Sequence, residues 1–256
     1  MSLFNDSLKN IKIKNLAVFI IVSYLILFAL GKFSFPINEK WLYVAIVIYF
    51  IFKLRDSFGD FNHDVSNVFS KIQLRYILLI VFTNIFFSYG MLYLSGGLVR
   101  YFPGLNFLLN FHVPSMSITG SLPVIGVFVS TVIISPISEE LVFRGVLLSR
   151  LRLVTPTIFA VLISSLLFGS LHSFGSIISA FVFGICMAIL YLKTDNICVP
   201  ILTHFLNNLF AEIIRFFDFN NLLFTNAYVI SIVSILAIVS AIILFISMKT
   251  ELNRIK

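Results

Sequence analysis

Long apolar runs separated by short polar stretches set the pattern of this chain. A helix needs about 20 apolar residues, with a range of roughly 17 to 25, to cross a hydrocarbon core. On that basis the runs near 15–31, 37–54, 76–99, 121–143, 156–172, 174–192, 197–216 and 227–248 predict eight transmembrane helices. The second run is the weakest, since its clearly apolar part extends only from Trp41 to Phe52, and seven helices is the alternative count. Between the third and fourth runs, Pro103, Gly104, Asn106, Asn110, His112 and Pro114 break any helical pattern and predict a loop or a re-entrant segment covering a cavity. The hydrophilic stretch from Lys53 to Arg75, with His63, reads as a solvated loop. No internal repeat or linker divides the chain. The predicted fold class is all-α: a polytopic transmembrane helical bundle of about eight helices, forming one integral membrane domain over residues 1–256.

Composition sharpens this picture. Of 256 residues, 59% are hydrophobic, 30 are Phe and 11% are charged, against about 25% charged in soluble domains. The first run follows Lys9, Lys12 and Lys14 as a signal peptide would, but no small-residue cleavage site follows it, so a retained helix is expected. The net charge of +7 is explained by the positive-inside rule rather than by nucleic acid. With eight helices and the N-terminus inside, Lys9, Lys12, Lys14, Lys53, Arg55, Lys71, Arg75, Arg150, Arg152, Lys193, Lys249, Arg254 and Lys256 collect on the cytoplasmic side. Only Lys32, Lys40, Arg100 and Arg215 fall on the other, which predicts cytoplasmic N- and C-termini. The Asn-, Lys- and Ile-rich composition suggests a low-GC bacterium and hence a bacterial cell membrane. Cys186 and Cys198 lie in apolar segments without metal-like spacing and read as packing residues.

Five ionisable residues interrupt the later runs: Glu139, Glu140, Arg144, His172 and His204, with Asn208 beside the last. A charge at the bilayer centre costs roughly 2.5 to 3.5 kcal/mol on insertion scales, so these groups are expected to have a use. Glu140 and Arg144 are i and i+4 on one face and predict an ion pair. Glu139 is turned about 100° away and is left to act on something else. His204 and Asn208 are likewise i and i+4. If hairpin turns lie near Thr155 and near Asp195 on the same side, Glu139 and His172 stand roughly 25 Å from the first turn, and His204 and Asn208 roughly 14 and 20 Å from the second. Helix tilt allows all four to form one layer.

A carboxylate, two imidazoles and an amide make a set able to hydrolyse an amide bond. Glu139 is the candidate general base, with His172 to hold and help deprotonate water. His204 and Asn208 can donate to a developing oxyanion. Neither a Gly-x-Ser-x-Gly elbow nor a Cys near a His is present, so water is the expected nucleophile.

The set Glu139-Glu140-x-x-x-Arg144, Phe168-x-x-x-His172 and His204-x-x-x-Asn208, in order on successive apolar segments, resembles the CAAX-protease and bacteriocin-processing family, also called the Abi family. The motif-bearing part covers about 121–216. The resemblance implies an eight-helix intramembrane endopeptidase of the glutamate type, in which Glu139 and His172 activate water, His204 and Asn208 form the oxyanion hole, and Arg144 positions Glu140. It implies a membrane-associated peptide or protein precursor as substrate, as in prenylated-tail processing, peptide maturation, export or bacteriocin self-immunity.

Three other readings compete. Glu139, Glu140, His172 and His204 could hold Zn²⁺ in a metalloprotease, since two His and a carboxylate form a catalytic set, although His-Glu-x-x-His is absent. A transporter would use the same ionisable groups as an ion path, but would be expected to show matching broken helices in two halves. A scaffold or bacteriocin immunity protein would use the polar pairs as interhelical glue. Metal-free glutamate catalysis is the expected mechanism, with no cofactor.

Overall fold

The computed structural model describes residues 3–33, 40–71, 74–102, 121–218 and 220–254. The expected loop or re-entrant segment with His112 lies outside them. Regular structure among the described residues is entirely helical. We label α1 Leu3–Lys9, α2 Ile13–Lys32, α3 Lys40–Leu54, α4 Phe58–Ser66 and α5 Leu74–Tyr101. Helix α6 is one continuous helical rod over 121–151, followed by α7 Thr157–Ser170, α8 Ile177–Thr194, α9 Cys198–Phe217 and α10 Ala227–Arg254.

Each of the eight expected segments contains a helix, and five are long and apolar enough to cross a membrane: Ile13–Lys32, Leu74–Tyr101, Ile125–Leu151, Phe174–Thr194 and Ala227–Arg254. The others differ for separate reasons. Helix α7 is apolar but has 14 residues, about 21 Å of rise against a core of about 30 Å. Helix α3 has 15. Helix α9 has 20, but His204, Asn207, Asn208, Glu212 and Arg215 make it polar. Helices α2 and α10 turn apolar side chains outward, among them Val18 at 60% exposure and Ile235 at 63%. Such surfaces suit hydrocarbon and not water.

The stretch 53–75 is a correction to the loop reading. It forms α4 and a further turn, Val68–Lys71. Phe58, Phe61 and Val65 recur at helical spacing, and Phe61 packs against Phe4 of α1 at 5.0 Å between centroids, the rings tilted by 53°. His63 is exposed on α4, with Asn67 Nδ2 within 3.1 Å of its ring nitrogens.

Helix α1 organises one end of the bundle. Lys9 Nζ lies 2.7 Å from Asp195 Oδ1, Asn5 Nδ2 donates to the Asp195 carbonyl, and Arg150 Nε donates to the Ile11 carbonyl at 3.0 Å. The turns after α6 and α8 therefore meet the same N-terminal segment, as the depth argument required. Asp195 ends α8 in the left-handed region, at φ 46°. Leu8 of α1 fills the notch at Gly145, where an added Cβ would stand 2.4 Å from Leu8 Cδ2.

Helices α5 and α10 run against each other, α7 and α8 form a hairpin, and α6 packs between α3, α7 and α9. Cys186 and Cys198 are both free and buried.

Candidate active site

The rod α6 changes pitch twice. Turns of α-helix at Ser121–Val129 and Ser135–Glu140 are separated by a π-helical segment, Ser130–Ile134, and a second π segment, Leu141–Leu148, follows. Such widened turns are rare and recur at functional sites. The first has a visible cause in Pro136, which lacks an N–H and crowds the preceding turn. The Ser135 N–H bonds five residues back to the Ser130 carbonyl. Continuing that register, the Thr131 carbonyl would need the N–H of residue 136, which proline does not have. Asn208 Nδ2 on α9 donates to this carbonyl at 2.9 Å instead.

Between the two π segments stand Glu139 and Glu140, both buried. Arg144 Nη1 donates to Glu140 Oε1 at 3.0 Å, with both side chains fully buried, which is the expected i, i+4 pair. Arg144 Nη2 donates to the Gly184 carbonyl of α8 at 3.1 Å. Residue 184 also lies where α8 meets α7 closely: a Cβ there would lie 3.0 Å from Ser165 Cβ and 3.1 Å from Ser165 Cα. The guanidinium also lies over the Phe168 ring, 4.5 Å from its centroid, a favourable cation–π arrangement in a desolvated site.

Glu139 is directed elsewhere. Its Oε1 accepts from Ser135 Oγ, and its Oε2 stands 3.9 Å from His204 Nε2. The other imidazole nitrogen, His204 Nδ1, lies 2.8 Å from Glu140 Oε1. Because a carboxylate only accepts, Nδ1 carries a proton in this contact. Glu140 Oε1 thus receives both Arg144 and His204, and His204 bridges the two carboxylates.

His172 follows the last turn of α7, with Nδ1 3.0 Å from the Phe168 carbonyl. The carbonyl accepts, so Nδ1–H donates and Nε2 is left for the site. Phe168 is the shared wall: its ring lies 4.8 Å from His172 and 5.9 Å from His204 between centroids. His172 lies within electrostatic reach of Glu139, His204 and Arg144. The structure therefore gathers Glu139, Glu140, Arg144, His172 and His204, and brings Asn208 against α6 one turn beyond His204.

The donor set does not fit a metal ion. Glu140 Oε1 and His204 Nδ1 already bond one another, and among the described residues no three His, Cys, Asp or Glu side chains converge to hold one. Beside the site, Ile137, Leu141, Phe205, Phe50 of α3, and Phe58 and Phe61 of α4 line an apolar cavity of about 430 Å³.

Sequence reading named Phe168 in its motif without a role and missed two partners. Ser135 sits four residues before Glu139 and could have been found on the helical face. Asn84 of α5, which donates to Asn207 Oδ1 at 2.8 Å, left no signal, because 123 residues separate the two.

An apolar helical bundle that buries two carboxylates, a guanidinium and an imidazole in contact defines a membrane-type protein with a polar centre built for chemistry. Residues 121–210 match the model of a known family, described as type II CAAX prenyl endopeptidase Rce1-like. This matching segment contains all six candidate residues, in line with the resemblance seen in the motifs. The chain is also 37% identical over 84 residues to a Bacillus subtilis (strain 168) protein named "Putative membrane peptidase YdiL"; the match covers 32% of this chain and 34% of that protein. No solved structure gives a significant match.

Proposed function

We propose that the chain is an intramembrane endopeptidase of the glutamate type, hydrolysing a peptide bond in a membrane-associated peptide or protein precursor. The observation that carries this reading is the open contact between Glu139 Oε2 and His204 Nε2 at 3.9 Å. It is too long for a hydrogen bond. An oxygen about 2.8 Å from each group would sit at the apex of roughly a right angle, so the gap suits a water that donates to the Glu139 carboxylate and accepts from His204 Nε2–H.

Glu139 takes a proton from water while His172 Nε2 holds that water, and the hydroxide attacks the scissile carbonyl. His204 donates Nδ1–H to Glu140, and as the imidazolium it carries a second N–H on Nε2, facing Glu139. The Nε2–H is then free to stabilise the oxyanion, together with an N–H of Asn208. Glu139 returns its proton to the leaving amine. The apolar cavity beside the site suits a hydrophobic segment of the substrate.

We further place the N- and C-termini in the cytoplasm of a bacterial cell. The bundle end organised by α1 carries Lys9, Lys12, Lys14 and Arg150, as the positive-inside rule requires, and the matching relative is bacterial.

The test is cleavage of a membrane-anchored peptide library by purified protein in nanodiscs, wild type against Glu139→Gln, each with and without a strong chelator. Cleavage that survives chelation and disappears in Glu139→Gln is the expected result. Loss to chelation with recovery on adding Zn²⁺ would favour the metalloprotease. Absence of cleavage in every arm would favour a scaffold or immunity protein.

A further inference from the structure

Three asparagines form a chain of bonds from α5 to the site. Asn84 Nδ2 donates to Asn207 Oδ1 at 2.8 Å, Asn207 Nδ2 donates to Asn208 Oδ1 at 3.3 Å, and Asn208 Nδ2 donates to the Thr131 carbonyl at 2.9 Å. Every step has the same polarity. A carboxamide has a donating end and an accepting end of nearly equal shape. For Asn208 the Thr131 carbonyl, which only accepts, selects the donor end, and the bond from Asn207 to Oδ1 reinforces the choice from the other side. With Oδ1 held by Asn207 and one N–H held by Thr131, the second N–H of Asn208 remains as a donor, whereas the flipped amide would set its oxygen against the Thr131 oxygen.

We propose that Asn84 and Asn207 are positioning residues that fix the Asn208 amide with its donor end toward the reacting carbonyl. The proposal rests on the reading of Asn208 as an oxyanion donor. Asn84 is 5% exposed and lies on α5, outside the segment that matches the endopeptidase family. A buried amide costs free energy unless it is hydrogen-bonded, and Asn84 sits among Ile77, Val81 and Ile85 in an apolar helix. Its Oδ1 has no partner among the described residues, and Asn84 lines a cleft of about 210 Å³ together with Asn207, Glu212 and Arg215. Among the described residues the chain therefore starts at Asn84, held in place by α5.

The direction of donation gives the test. In Asn84→Leu the chain loses its origin. In Asn84→Asp the side chain only accepts, so Asn207 must turn its amide nitrogen to it and present an oxygen to Asn208, which reverses the chain. Asn84→Gln keeps a donor. On the substrate found in the library, Asn84→Leu is expected to lower kcat about three- to twentyfold with KM within twofold. Asn84→Asp falls further, and Asn84→Gln recovers toward wild type. Unchanged kcat in all three, or an effect on KM alone, overturns the proposal.

A second measurement does not depend on cleavage. In protein labelled with ¹⁵N-asparagine, the Asn208 side-chain resonances are identified by their loss in Asn208→Ala, and they are expected to shift in Asn84→Leu. Unshifted resonances overturn the chain of bonds. Shifted resonances in a wild-type protein that cleaves nothing retain the chain but overturn the endopeptidase reading, and the catalytic role of Asn84 with it.

Discussion

At the residue scale, the two adjacent glutamates have different surroundings and so different expected phenotypes. Glu140 is fully buried against Arg144 and His204. Removing one member of such a pair leaves an uncompensated charge, at a cost of about 3–5 kcal/mol. Arg144→Met is therefore expected to reduce the yield of folded protein and lower the melting temperature in detergent. Glu139→Gln keeps the bond from Ser135 and is expected to leave the melting temperature within a few degrees while cleavage is lost. Asn208→Ala is expected to lower kcat by about 10² to 10³ if one oxyanion donor is lost. This division was legible in the sequence, because i, i+4 spacing places Glu140 with Arg144 and turns Glu139 away. The contact of His204 with both carboxylates was not, because spacing along one helix says nothing about which side chains of another helix it meets.

At the element scale, the eight helical segments could be read from hydropathy alone, but the two π segments of α6 could not. Pro136 was visible, yet whether proline kinks a helix, ends it or widens it depends on who takes up the freed carbonyl. Here that partner is Asn208. Pro136→Ala restores an N–H able to bond within α6, so Asn208 is expected to lose its anchor. A several-fold fall in kcat with little change in melting temperature is the expected outcome, read from parallel kinetics and thermal melts. Helices α1 and α4 were also missed, since their apolar residues are few and form a stripe rather than a run. The notch at Gly145 gives a packing test. Gly145→Ala meets the buried Leu8 and is expected to cost about 1–3 kcal/mol by overpacking, with Leu8→Ala in the same chain recovering part of the loss in a thermal melt.

At the scale of the whole molecule, the prediction concerns sidedness. A cysteine placed at Arg55, which is exposed beside α4, is expected to react with a membrane-impermeant thiol reagent only when cells are opened. The native Cys186 and Cys198, both buried, stay silent. Labelling of intact cells would invert the topology. The all-helical, membrane-type fold was legible because apolar runs fill the chain. The joining of its turns by α1 was not, since Lys9 and Asp195 are 186 residues apart.

The bridge from His204 to both carboxylates also bears on how such a bundle is made. Helix α6 leaves the ribosome with two carboxylates and one guanidinium, and the imidazole that completes the neutral set arrives only with α9, some sixty residues later. Until then a carboxylate lacks its counter-charge in a setting where that is costly. A chain truncated before α9 is therefore expected to hold α6 less firmly in the lipid phase, which carbonate extraction of the truncated chain against the full one would read.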